Sequence, residues 1–200
     1  MKTRKIMNLK KDETNIMTVV FVCTINRWRS VTAEYLMKHL IEEKDKALLE
    51  KVRVLSAGIV SEEHLDELKE QGLAVPEPLW GYRPMPCLIF YMAKRGIDVS
   101  QHRSKPLDQD IVHRADLIVC MDKKHKDAII ATFPHLSANQ VVTTTELWGP
   151  IEFPPLAAEP PGLVPNYDFC MRECDHWETM EGSLTVMNEW LKGAMNKILF

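Results

Sequence analysis

The 200-residue sequence has no long apolar run and no excess of positive charge. Its longest uninterrupted apolar stretch is only seven residues, Cys87 to Ala93, whereas a membrane-spanning helix needs about 20 residues. The formal net charge is −3, and proteins built to bind nucleic acid or anionic lipid are usually basic. The sequence therefore predicts no membrane partner and no nucleic-acid partner.

The sequence also lacks a secretory signal and a regular cysteine framework. No apolar stretch follows the Lys-rich start of the chain, so we expect a cytoplasmic protein with free thiols. Cys170, Cys174 and His176 lie close together, but their spacing fits no common zinc motif, and we predict no metal site. The five cysteines are Cys23, Cys87, Cys120, Cys170 and Cys174.

The composition is that of a folded domain. Apolar residues make up 46% of the chain and charged residues 26%, which supports one sizeable core and excludes disorder as the main state. We predict a single domain over residues 1–200, with a loose tail over 1–15. We predict two long loops or insertions, over residues 59–83 and 149–174. Both are candidates for the border of a binding site.

Short apolar strands alternate along the chain with segments of helical periodicity. Met17 to Val22 is apolar and β-branched, as in a strand buried on both faces of a parallel sheet. Apolar residues then recur at helical spacing from Val31 to Ile41. This alternation predicts an α/β fold, a single doubly wound sheet of about four parallel strands with helices on both faces. The other predicted strands are Val52 to Leu55, Leu117 to Met121 and Val141 to Thr144, and the other predicted helices are Glu62 to Gln71, Pro86 to Lys94, Lys123 to Ala131 and one that begins at Leu184.

The loop after the first strand carries the strongest chemical signal. It runs from Cys23 to Ser30, between a strand and the start of a helix. Such a loop turns successive backbone N–H groups inward, and the helix adds the positive end of its dipole. Arg29 can hold two oxygens of a phosphate with its planar guanidinium, and Ser30 can donate a hydrogen bond to a thiolate. The sequence therefore predicts a phosphate loop with Cys23 as a reactive thiolate.

The remaining loop residues are predicted to bind the substrate. Asn26 lies in mid-loop and is a residue type that tolerates left-handed backbone geometry. The predicted substrate-binding residues of the loop are Thr24, Ile25, Asn26, Arg27, Trp28 and Ser30.

The spacing of cysteine, five residues, arginine and serine resembles the signature of the low-molecular-weight protein tyrosine phosphatases. The resemblance covers roughly residues 17–58, 84–148 and 175–199. It implies a phosphatase with Cys23 as nucleophile and with no metal or organic cofactor. The chain departs from the family at Ile25, where glycine is usual, and at Trp28, where many members have a second cysteine. The other segments that carry the resemblance are Ala33-Glu34, Ser56-Ala57-Gly58, Gly96 to Lys105 and Asp116 to Asp122.

The resemblance also implies a general acid, an aspartate in an Asp-Pro-aromatic motif on a late loop. No Asp-Pro occurs in this chain. Asp175 is followed by His176 and the aromatic Trp177, and it lies nine positions before Leu184, as the family's register requires. We therefore predict Asp175 as the general acid and Trp177 as a substrate-binding residue, with Asp168 as the alternative acid.

The predicted function is phosphomonoester hydrolysis through a phosphocysteine intermediate, on a phosphorylated protein or a small aryl phosphate. Protein tyrosine phosphatase activity is favoured, while phosphoarginine and a small metabolite stay open as substrates, as does the oligomeric state. One alternative is an arsenate reductase of the same fold, which needs further cysteines; Cys120 has no close partner in sequence. The other alternative is a non-catalytic phosphate-binding module, which Ile25 and His176 leave open.

Overall fold

The structure is a computed structural model that describes residues 16–62, 65–66, 70, 79–137, 139–148, 184–193 and 195. Within these residues one parallel sheet is formed by the strands β1 (Met17–Cys23), β2 (Val52–Gly58), β3 (Leu117–Cys120) and β4 (Val141–Thr143). The helices are α1 (Arg29–Lys44), α2 (Pro86–Lys94), α3 (Gln109–Arg114), α4 (Lys123–Thr132), α5 (Thr144–Trp148) and residues 184–193, called α6, and a 3₁₀ turn spans Lys46–Glu50.

The strands lie in the order β2-β1-β3-β4, which confirms the predicted fold class. β2 lies on one side of β1 in the sheet, and β3 and β4 lie on the other side. In such sheets ligands bind at the carboxyl ends of the strands, where this direction reverses. Here that place is the end of β1 beside the end of β3.

β1 is buried on both faces, and this divides the core in two. Successive side chains of a strand point to opposite faces. Phe21 and Cys23 belong to a core beneath α1, α2 and α6, whereas Val20 and Val22 belong to a core beneath α3 and α4. Helices therefore cover both faces of the sheet, as the apolar run predicted.

Helix starts differ in how they are capped. α3 and α4 begin with aspartates, Asp108 and Asp122, whose carboxylates accept a hydrogen bond from a backbone N–H of the first turn. α1 follows Trp28, and in the part of the chain that the structure describes no side chain caps it. Its first N–H groups therefore remain available to a ligand.

Some element bounds differ from the sequence prediction. β2 continues beyond Leu55 to Gly58, because its last residues pair with the end of β1. β4 ends at Thr143, since Thr143 and Glu146 exchange side-chain to backbone hydrogen bonds that begin α5. The predicted tail over 1–15 and the segment 149–174 lie outside the described residues.

No helix among the described residues is both long enough and apolar enough to span a bilayer.

Candidate active site

The nucleophile candidate lies beneath the uncapped end of α1. Cys23 is the last residue of β1 and is 4% exposed. Its Sγ lies 3.0 Å from Oγ of Ser30, which belongs to the first turn of α1. A hydroxyl at this distance can donate a hydrogen bond to a thiolate, and the positive end of the helix dipole favours negative charge there.

Asn26 holds the loop together from within. It is fully buried and adopts φ +53°, in the left-handed region that favours glycine and asparagine. Its Nδ2 donates to Ser30 Oγ at 3.0 Å and to Ser56 Oγ at 2.8 Å. Its Oδ1 accepts from the Lys105 backbone N–H at 3.2 Å and lies 3.1 Å from His102 Nε2. The loop is thereby fixed to β2 and to the segment before α3.

A second layer supports this arrangement. The Ser56 hydroxyl donates to Oε2 of Glu34, a carboxylate that is 4% exposed and also pairs with Lys38. His102 Nδ1 lies 4.0 Å from the same oxygen. Burial lowers the pKa of His102, against an opposing effect of the Glu34 charge, so the imidazole is neutral at pH 7. Glu34, Ser56 and His102 each lie in a segment that carries the family resemblance. In the structure these residues support the loop.

Arg29 begins α1 on the other side of the loop. Its Nη1 donates to Oδ2 of Asp122 at 3.1 Å, and Asp122 caps α4 at the end of β3. Among the described residues this bond uses one of the five N–H donors of the guanidinium. The remaining donors suit the planar recognition of phosphoryl oxygens.

Asp122 is held as a carboxylate. Partial burial works to raise its pKa, but hydrogen bonds from the His125 side chain and backbone, together with the charges of His125 and Arg29, outweigh that effect. The pKa of Asp122 therefore lies well below its usual range. From the sequence, Asp122 is named only as the end of a resembling segment and His125 is not named, although a capping aspartate with a histidine three positions later is visible there.

Aromatic residues lie beside the loop at the end of the segment 59–83. The Arg27 guanidinium stacks over the Tyr82 ring at 5.3 Å from its centroid, and Arg27 Nε donates to the Arg83 carbonyl at 2.8 Å. Trp80 packs against Gly58, where an added Cβ would lie 2.5 Å from its ring. Residues 79–83 therefore form one wall beside the loop.

Several predicted substrate-binding residues direct their side chains into the protein. Thr24 is 8% exposed and its Oγ1 lies 3.0 Å from His125 Nε2. Asn26 makes the contacts given above, and Trp28 packs against the core beneath α1. Ile25 is half-buried. These residues can therefore reach an oxyanion through their backbone N–H groups rather than through their side chains.

Other predicted residues lie outside the described part of the chain. These are the general-acid candidates Asp175 and Asp168, the aromatic Trp177, and the group Cys170, Cys174 and His176. Among the described residues no group of three or more histidine, cysteine, aspartate or glutamate side chains is placed to hold a metal ion.

Cys120 is separated from Cys23 by the sheet. It pairs with Val22 in register and belongs with it to the core beneath α3 and α4, whereas Cys23 belongs to the opposite core. Burial raises the pKa of Cys120 well above its usual value, and the charge of Asp122 adds to this effect. In this fold the two thiols face opposite sides of the sheet.

The sequence is similar to curated proteins that are named as phosphatases or as an arsenate reductase. The matched regions span less than two thirds of the length of each relative. One is the probable low molecular weight protein-tyrosine-phosphatase EpsP of Ralstonia nicotianae, 34% identical over 119 residues, which are 60% of this chain and 65% of that protein. Another is the arsenate reductase of Bacillus licheniformis, 33% identical over 120 residues, 60% of this chain and 66% of that protein. A third is the protein-arginine-phosphatase of Bacillus subtilis, 29% identical over 117 residues, 58% of this chain and 63% of that protein.

Solved structures share the fold. The low molecular weight protein tyrosine phosphatase of T. tengcongensis has a TM-score of 0.55 and 24% identity, covering 88% of this chain and 99% of its own. Wzb of Vibrio vulnificus in complex with benzylphosphonate has a TM-score of 0.61 and 20% identity, covering 92% of this chain and 99% of its own. The family model described as "Low molecular weight phosphotyrosine protein phosphatase" matches residues 18–78 and 75–148, more than half of the sequence. The chain therefore belongs to the low molecular weight phosphotyrosine protein phosphatase family.

Proposed function

We propose that this chain is a phosphomonoester hydrolase with a cysteine nucleophile, acting on phosphotyrosine in proteins or on small aryl phosphates. One observation carries the proposal: Cys23 Sγ lies 3.0 Å from Ser30 Oγ beneath the uncapped end of α1, the helix that Arg29 begins. A nucleophile, anion-binding N–H groups and a guanidinium thus meet at one end of β1. Family membership and the phosphatases among the relatives support the same reaction.

The first step transfers the phosphoryl group to sulfur. The Cys23 thiolate attacks phosphorus in line with the leaving oxygen, so that an S–P bond forms as the P–O bond breaks. The loop N–H groups and the Arg29 guanidinium hold the equatorial oxygens, and they bind most tightly when charge spreads onto those oxygens in the transition state. Asp175 is the proposed general acid, which gives its proton to the leaving phenolate.

The second step releases inorganic phosphate. Asp175, now a carboxylate, takes a proton from the water that attacks phosphorus, and the S–P bond breaks. The Ser30 hydroxyl stabilises the departing Cys23 thiolate at the distance observed here. Both steps balance without a metal or an organic cofactor, and we propose a cytoplasmic setting for them.

The walls of the site favour an aromatic leaving group. Trp80 and Tyr82 lie beside the loop on the segment that Arg27 contacts. Flat apolar rings stack well on one another, so an aryl phosphate gains contacts that an alkyl phosphate lacks. Trp177, which follows the proposed acid, is a further candidate for this contact.

Arsenate reduction is the second candidate, because one relative carries that name. That chemistry needs thiols that can relay electrons to the nucleophile. Cys120 lies on the opposite face of the sheet from Cys23, which argues against it in this role. A non-catalytic phosphate-binding module is the third candidate, and the intact pairing of Cys23 with Ser30 argues against it.

Turnover of an aryl phosphate in excess chelator tests the proposal. We expect hydrolysis that the chelator leaves unchanged and no arsenate reduction with dithiothreitol as the reductant. The Arg29→Lys variant keeps the charge but loses the planar donor pair, and kcat/KM should fall by about 10²–10³-fold. Arg53→Lys is the matched control, since Arg53 is exposed at the opposite end of β2. Absence of hydrolysis, or equal activity of both variants, would contradict the proposal.

A further inference from the structure

A buried histidine links both ends of the phosphate loop. His125 lies in the first turn of α4 and is 1% exposed. Its Nε2 lies 3.0 Å from Oγ1 of Thr24, the residue after the nucleophile. Its Nδ1 lies 3.0 Å from Oδ1 of Asp122, and the other carboxylate oxygen of Asp122 accepts from Arg29 at 3.1 Å. Thr24, His125, Asp122 and Arg29 therefore form one continuous chain of polar contacts.

The Arg29–Asp122 pair is not rigid by itself. The side chains are 31% and 39% exposed, and ion pairs at such exposure contribute little and hold their geometry weakly. His125 differs because its ring is enclosed by protein and each ring nitrogen contacts a partner. Its backbone N–H also donates to Asp122 Oδ1 at 3.1 Å. The backbone hydrogen bond and the close approach of the ring therefore both act on Oδ1 of Asp122 from the His125 side.

We propose that His125 is a positioning residue that orients Arg29 through Asp122. The ring and the backbone N–H of His125 both lie against Oδ1, so Oδ2 is left to accept from the guanidinium, which is then set to receive phosphoryl oxygens. This inference rests on the proposed function in that Arg29 binds the phosphoryl group. The contact with Thr24 attaches the start of the loop to the same ring.

Two substitutions separate the two contacts of the ring. The amide of asparagine can take the place of Nδ1, and the amide of glutamine can take the place of Nε2. His125→Asn therefore keeps a donor toward Asp122 and loses the Thr24 contact, whereas His125→Gln does the reverse. If His125 acts through Asp122, asparagine rescues the site and glutamine does not.

The measurement is the Kd of inorganic phosphate by calorimetry together with kcat/KM for an aryl phosphate. For His125→Gln we expect the Kd to rise and kcat/KM to fall by about 10-fold each, as expected when a hydrogen bond to a charged group is lost. For His125→Asn we expect values within about threefold of wild type. His113→Gln, at an exposed histidine on α3, is the control and should match wild type. Equal losses in Asn and Gln variants, in step with their thermal stability, would mean a purely structural role and overturn the proposal.

A double-mutant cycle tests the route through Asp122. In an Asp122→Asn background, His125→Gln should lower phosphate affinity by less than about twofold further, because the carboxylate it orients is gone. A full 10-fold further loss in that background would overturn the proposal. If wild type binds phosphate but hydrolyses no ester, the proposed function fails, while the Kd series still decides the role of His125.

Discussion

Asn26 shows how much of the site depends on single residues. Its φ of +53° lies in the left-handed region, which asparagine tolerates, as the sequence predicts. Its partners could not be predicted, because Ser56, His102 and Lys105 are 30, 76 and 79 residues away along the chain. The backbone conformation at Asn26 can therefore be predicted from the loop sequence. The contacts that stabilise it depend on the order of the strands in the sheet.

His102 should make stability depend on pH. Burial lowers its pKa in the folded chain, so below about pH 6.5 the unfolded state binds a proton that the folded state resists. The free energy of unfolding should therefore fall as the pH drops below 6.5, and continue to fall until the folded-state pKa is passed.

Urea unfolding at pH 7.5, 6.5 and 5.5 measures this dependence. His102→Gln should be less stable than wild type at pH 7.5 because the Asn26 contact weakens, but its stability should fall less between pH 7.5 and 5.5. His113→Gln controls for loss of a histidine at an exposed site. Parallel curves for wild type and His102→Gln would show that His102 does not titrate as described.

At the scale of elements, the ends of strands and helices carry the function. The periodicity of the sequence predicted which segments form strands, but not that β2 continues to Gly58, since that depends on pairing with the end of β1. The missing cap of α1 could not be predicted, because the periodicity places the helix start at Val31, after Ser30, whereas the helix begins at Arg29, after Trp28.

Gly58 should not accept a side chain. An added Cβ would lie 2.5 Å from the Trp80 ring and 2.6 Å from the Thr24 carbonyl oxygen, which belongs to the backbone of the phosphate loop. Gly58→Ala should lower the free energy of unfolding by about 1–3 kcal/mol, the usual cost of overpacking, and should weaken phosphate binding.

Gly193→Ala in α6 is the matched control, because no atom of the described residues lies within 4 Å of a Cβ added there. It should be neutral or stabilising by up to about 1 kcal/mol, as expected for alanine in a helix. Thermal unfolding and phosphate calorimetry on both variants provide the comparison. Unchanged stability and affinity in Gly58→Ala would contradict the close packing of Trp80 and the loop.

At the scale of the whole molecule, the sheet order brings the parts of the site together. The first connection supplies Cys23 and Arg29, and the segment after β3 supplies Asp122 and His125, which lie 93 and 101 residues from their partners Arg29 and Thr24. The sequence predicted the first group from its spacing. It did not predict that the second group belongs to the site, because only the adjacency of β1 and β3 brings those residues to the loop.

The general acid stays a prediction that solution measurements can test. Asp175→Asn should lower kcat by about 10²–10⁴-fold for an aryl phosphate with a poor leaving group, the usual contribution of general acid catalysis. The loss should shrink when the leaving group needs no proton. Asp168→Asn is the matched comparison, and a larger effect in that variant would assign the role to Asp168.

Substitution of the nucleophile tests the central claim most directly. Cys23→Ser should lower aryl phosphate turnover by about 10⁴-fold or more, because serine at this site is a much weaker nucleophile. Its Kd for inorganic phosphate should stay within about threefold of wild type, since Arg29 and the loop N–H groups remain. Cys120→Ser, on the opposite face of the sheet, should keep its turnover. Near wild-type turnover in Cys23→Ser would contradict a mechanism through phosphocysteine.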